Sequence, residues 1–186
     1  SGVLLDGVSL RSTNLTGCNL SGASLRGADL RWSDFSKCQL SDTDFSNSNL
    51  FHTTFNGAIM DRAKLNKAYL FGARLNHVQA RQADFTDAFM KDLNISNSNL
   101  SGSIFKSAYM LRSVMIGSNL SGADLQKADL TGSALEKVDF TRANLRGALL
   151  KGVTLDETIF LEANLDQADF TDAAIENMDN TGFNRQ

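Results

Sequence analysis

Two cysteines and two histidines are the side chains here with the most chemistry to offer. Cys18 and Cys38 stand twenty residues apart, and His52 and His77 twenty-five. A zinc site needs four ligands of this kind, or three with an open position, and neither cysteine has a histidine close to it in sequence. A nucleophilic thiol or hydroxyl needs a base within hydrogen-bond reach, and the spacing supplies none. The 21 acidic residues are scattered along the whole length. Paired carboxylates for glycoside chemistry could be assembled from almost any two stretches, so they single out no site. The phosphate-cradling GxxxxGK[ST], the zinc-binding HExxH and the nucleophile elbow GxSxG are all absent. Asn-x-Ser/Thr triplets such as Asn14-Leu15-Thr16 and Asn94-Ile95-Ser96 are by-products of a repeating block and say nothing of secretion. The residues point away from an enzyme, and they call for no cofactor and no metal.

The elements that carry these residues follow from a strict period of five. The 186 residues fall into blocks reading SGVLL, DGVSL, RSTNL, TGCNL, SGASL, RGADL, and the register never slips. Every fifth position from Leu5 to Ile175 is apolar: 20 Leu, 8 Phe, 4 Met, 2 Ile and Ala80. Two places earlier runs a column of small residues, 16 Ala, 7 Ser, 5 Val, 4 Thr and both cysteines, broken only by Leu93. All 14 glycines fall two places after the large residue, and there is no proline, where roughly nine would be usual. On an α-helix, five residues advance about 500°, so the large residues would scatter round the axis and define no buried stripe. In an extended segment the small, polar and large residues point in, out and in. The two positions that follow turn the chain. Each block is then a very short strand ending at a corner, and four blocks close one coil of a solenoid. The 35 blocks give a rod of roughly 42 Å at about 4.8 Å per coil. Glycine suits a corner with positive φ, and a proline would interrupt the coil-to-coil ladder.

Blocks such as RGADL, SGADL, QKADL, TRANL, LEANL, RQADF and DQADF fit the pattern A(D/N)Lxx. The chain resembles the pentapeptide-repeat family over residues 1–175. That resemblance implies an all-β fold, a right-handed quadrilateral β-helix of about nine coils. It implies little about activity. Residues 176–186 read as a degenerate last repeat with a C-terminal cap or tail: Asn180 replaces the large residue, and Phe183 occupies an inward slot where it would cover the last coil. Solenoid ends need covering, and the first block is already in register, so the expectation is a chain cut from something longer.

Function must then lie on the sides of the rod. Hydrophobic residues make up 42% and charged residues 21%, enough for a core, and the net charge of −3 argues against a nucleic-acid binder. No apolar run reaches the length of a membrane span. Numbering modulo twenty assigns each residue to a side. The six aromatics outside inward slots are Trp32, Phe51, Tyr69, Phe71, Phe89 and Tyr109, and all six fall on one side and its adjoining corner. Trp32 stacks over His52 there, and Leu111 and Leu149 extend the same columns. Such continuous outward apolar surface marks a contact site, although stacked aromatics also reinforce neighbouring coils. Charge varies along the axis as well. Residues 61–81 carry Arg62, Lys64, Lys67, Arg74 and Arg81 against Asp61, and residues 152–186 carry eight acids, the last of them Asp179, against Arg185.

The leading expectation is a protein-interaction or scaffold module whose contact side is Trp32, Phe51, His52, Tyr69, Phe71, Phe89, Tyr109 and Leu111, with a protein partner or a second copy. Some members of the resembled family mimic DNA and engage DNA gyrase, which gives an alternative function; the modest charge and the absence of a dimerisation helix speak against it. A structural spacer within a larger protein is the second alternative. Cys18 and Cys38 stand in for alanine in the inward slot, one coil apart and within disulfide range. Inward thiols suit a reducing compartment without requiring one.

Overall fold

The computed structural model describes residues 2–178 and 182–183. Ser1, Asp179, Asn180 and Arg185 therefore lie outside the described residues. Each block begins with a turn. The N–H of the small residue donates to the carbonyl of the large residue three places before it, as from Ala23 to Leu20 at 2.9 Å. The type II form of such a turn has positive φ at its third residue, and every corner position from Gly7 to Gly182 has it. Glycine supplies 13 of these corners and other residues supply 23. Positive φ is thus the rule at the corner, but glycine is not required for it. An L-residue there costs about 1–2 kcal/mol. The cost is offset because the corner N–H itself donates to the next coil, as from Trp32 to the Phe51 carbonyl at 2.9 Å.

One residue on each side bridges in parallel to its counterpart twenty residues on: Leu4 to Ser24, Ser9 to Asp29, Asn14 to Asp34, Asn19 to Gln39, and so to the end. Four blocks therefore make one coil, and the molecule is a right-handed quadrilateral β-helix. Among the described residues, extended pairing longer than one residue occurs once, between β1 (Thr154–Asp156) and β2 (Ala174–Glu176), in the same register. Both inward columns are sealed from solvent through the middle coils, from Leu25 to Phe160. Among the described residues no helix is long and apolar enough to cross a membrane.

Two features of the blocks have a reason beyond volume. The hydroxyls of Thr43, Thr53, Ser98, Ser103, Ser113 and Thr158 all donate to the carbonyl 23 residues back, at 2.7–2.9 Å. Serine and threonine fit the small slot because the tube interior offers them an acceptor. The polar residue between the small and large ones is so often Asp or Asn because its Oδ1 accepts the N–H two residues on. Asp34 to Ser36, Asn119 to Ser121 and Asp139 to Thr141 do so at 2.8 Å. This is an Asx turn that starts the corner wherever such a bond is made.

The ends differ. In the first coil Leu4 is 81% exposed, and Leu5, Val8, Leu10, Leu15, Cys18 and Leu20 are only partly covered. At the other end Phe183 packs on Phe160 and Phe170, with ring centres 5.3 and 5.1 Å away.

Candidate interaction surface

The six outward aromatics lie along one side and the corner after it, in columns set by the bridges Tyr69 to Phe89 and Phe89 to Tyr109. Six side chains of this surface form a connected cluster. Phe51 is its centre, meeting Trp32 edge-on at 5.1 Å, His52 edge-on at 4.3 Å, Phe71 in parallel at 5.5 Å and Tyr69 in parallel at 6.3 Å. Trp32 lies parallel to His52 at 6.3 Å. Phe89 joins through Tyr69 at 6.3 Å. Tyr109 and Leu111 follow in the same columns, one coil further on, with no ring contact to the cluster.

The rings remain open to water: Trp32 is 51% exposed, Tyr69 41%, Phe89 51% and Tyr109 40%. Phe51, Phe71 and Leu111 are half-buried, and His52 is exposed. Trp32 and His52 also hold corner positions, at φ 57° and 52°. Both share the positive φ of every other corner, a region where glycine, asparagine or aspartate would be easier. Below His52 the corner residue is Gly72 at φ +63°, and a Cβ there would sit 2.5 Å from the imidazole Cε1. Only glycine lets the ring settle on the backbone.

Cations complete the surface, and they escape a search for aromatics. Lys91 Nζ stands 6.0 Å from the centre of the Phe71 ring. Trp32, Phe51, His52, Thr54 and Arg74 line a shallow groove of about 450 Å³. Among the described residues Arg74 has no salt-bridge partner, whereas its basic neighbours along the axis do: Arg62 with Asp42 at 2.7 Å and Arg81 with Asp61 at 2.5 Å. The hydrogen bonds from these guanidiniums hold Asp42 and Asp61 below the usual carboxylate range. Lys91 stands in the twenty-residue column of Phe51 and Phe71, so the same arithmetic could have found it, whereas Arg74 follows Thr54 in a column without aromatics.

The acidic end is partly neutralised from the coil before it. Lys151 reaches Asp169 at 3.2 Å, Arg142 reaches Glu162 at 2.7 Å and Lys137 reaches Glu157 at 4.0 Å. Asp169 is held down at about 2, chiefly by the Thr171 hydroxyl, then by the Thr171 N–H and Lys151. His52 and His77 stand on exposed corners, Cys38 is buried, and no cluster of His, Cys, Asp and Glu among the described residues could hold a metal ion.

A sequence profile described as pentapeptide repeats matches this chain in eight copies across residues 4–42, 29–66, 38–76, 63–102, 94–132 and 133–172. Among solved structures the chain is similar to HetL of the cyanobacterium Nostoc sp. strain PCC 7120, a pentapeptide-repeat protein involved in the regulation of heterocyst differentiation. The identity is 29% and the TM-score 0.59, over 95% of this chain and 86% of HetL. It is also similar to QnrB1, a plasmid-mediated fluoroquinolone resistance protein, at 20% identity and TM-score 0.59, over 91% of this chain and 92% of that one. The QnrB1 likeness bears on the fold alone. No curated protein sequence matches the chain.

Proposed function

The chain belongs to the pentapeptide-repeat family, and from that premise we propose that it is a non-enzymatic protein-interaction module whose contact side is the surface running from Trp32 to Tyr109 and Leu111. The observation that carries this reading is the placement of Trp32: the single tryptophan sits half-exposed in a left-handed corner, at the head of a connected aromatic cluster. Its contacts with Phe51 and His52 tie neighbouring coils together and still leave half of the ring facing water. Aromatic rings kept at the water boundary are the usual anchors of protein contacts. The partner is another protein or a second copy of the chain. The likeness to HetL, a protein of differentiation control, supports a regulatory setting for the contact.

The test is a Phe71→Ser, Tyr109→Ser double variant. It keeps the circular dichroism of the parent and loses oligomerisation, partner retention or both. A folded double variant with the parent's oligomeric state and partner retention defeats the proposal.

Gyrase engagement by DNA mimicry is the second reading, favoured by the acids of the last coils. The pairs from Lys151 and Arg142 to Asp169 and Glu162 weaken it. Inhibition or protection in a gyrase supercoiling assay would raise it above the first.

A further inference from the structure

We propose that Cys18 and Cys38 form a disulfide that fastens the first coil to the second, with a low-molecular-weight disulfide such as oxidised glutathione as the oxidant. The two thiols, free in the structure, face each other with their sulfurs 2.6 Å apart. The backbone fixes this proximity from both sides. Asn19 bridges to Gln39, and the Gln39 N–H donates to the Cys18 carbonyl at 2.8 Å. Both cysteines close the same turn, their N–H groups donating to the Leu15 and Phe35 carbonyls. Stacked residues of adjacent strands lie about 4.8 Å apart, inside the span that a disulfide bridges.

Placement adds a second line. The small inward column holds 35 positions, and the only two cysteines occupy two that stack directly. The Cys38 thiol also lies 2.9 Å from the Leu15 carbonyl, where neighbouring coils use a serine or threonine hydroxyl. A serine would meet that need alone. A second thiol directly above it adds only the capacity to be oxidised.

The chemistry is thiol–disulfide exchange in two steps. Cys18 is partly exposed at the open mouth of the first coil, and Cys38 lies buried beneath it. The Cys18 thiol loses its proton and attacks one sulfur of oxidised glutathione. That bond breaks, a mixed disulfide forms, and the departing glutathione thiolate takes up a proton. The Cys38 thiolate then attacks the Cys18 sulfur and expels the second glutathione. Two protein thiols are oxidised and one small disulfide is reduced to two thiols. Burial pushes the Cys18 thiol up to about 12, so the first step is slow at neutral pH and quickens as pH rises. The product closes a loop of one whole coil at an end where burial is incomplete, and unravelling of a solenoid begins at its ends.

The chain is incubated with oxidised glutathione at mildly alkaline pH, unfolded in N-ethylmaleimide and weighed intact. The expected product is about 2 Da lighter than the reduced chain, with no maleimide. Amide exchange between Leu20 and Ser36 slows by about tenfold or more. Cys38→Ser keeps a donor for the Leu15 carbonyl, remains folded, and stops at the glutathione adduct on Cys18. Two maleimides on the oxidised wild type, or a glutathione adduct that persists beside a free Cys38 in folded protein, overturn the proposal. A cross-link that leaves amide exchange unchanged overturns its fastening role.

Discussion

Phe85 and Phe105 lie inside the rod with ring centres 4.8 Å apart and planes 2° from parallel. Phe51 and Phe71 lie outside it at 5.5 Å and 8°. The two stacks are nearly alike because both come from the twenty-residue register, which places any residue over its counterpart in the next coil. Stacking alone therefore says nothing of purpose. The inner pair is sealed on all sides and fills the tube. The outer pair is half-covered, and the rings beside it, Trp32 and Tyr69, face water. Inside, an aromatic ring is one of several ways to fill a volume. Outside, where a polar residue would fold as well, a ring is a choice that packing does not explain.

Substitutions can break or sharpen that difference. The largest effect is expected in the core: Phe85→Ala should cost about 3–5 kcal/mol in urea unfolding, and Phe71→Ala about 1 kcal/mol or less. Similar losses at the two sites would make the outer stack structural. Ser98→Ala comes next. Its hydroxyl accepts from the Val78 N–H at 3.1 Å and donates to the Leu75 carbonyl at 2.8 Å. Removing it strands a buried donor and should cost about 1–3 kcal/mol by the same measurement.

Gly72→Ala should cost about 1 kcal/mol for the left-handed corner, and it should lift the His52 ring off the backbone. The His52 side-chain NMR shifts should move while core methyl shifts stay; unchanged His52 shifts would show that the ring does not depend on that corner. The smallest effect is electrostatic. Guanidinium hydrogen bonds hold Asp29, Asp42, Asp61 and Asp92 below their ordinary values, and the Thr171 hydroxyl does so for Asp169. The unfolded chain binds protons at higher pH than the folded one, so this stabilisation is complete above the ordinary carboxylate value of about 4 and is lost as pH falls below it. Thermal scans should be flat from neutral pH down to about 5 and then decline, with the same slope in Phe71→Ala.

Much of this was legible in the residues. The block from Leu5 to Ile175 specifies in-out-in alternation, and the twenty-residue bridges such as Ser9 to Asp29 follow from four blocks per coil. The same arithmetic placed Trp32, Phe51, Tyr69 and Phe71 together. Other features needed coordinates. Glycine suited the corners, but Trp32, Lys37 and Arg62 also adopt positive φ, because ladders on either side hold the turn in place. Serine looked like a small space-filler, yet Ser103 and Ser113 serve as donors to carbonyls inside the tube. Charge by segment made the last coils look uniformly acidic, although Lys151 and Arg142 in the preceding coil reach over to pair with them. Ring contacts, and the split between the Trp32–Phe89 cluster and Tyr109, depend on rotamers, which periodicity does not fix.

The most direct test of the outer surface uses its own reporter, since Trp32 is the only tryptophan. Acrylamide quenching of its fluorescence is measured through a dilution series and with captured partner bound. When the contact forms, quenching should fall and the emission shift to shorter wavelength, and neither should change in the Phe71→Ser, Tyr109→Ser variant. A complex that forms while Trp32 stays as quenchable as in the isolated chain would contradict the account.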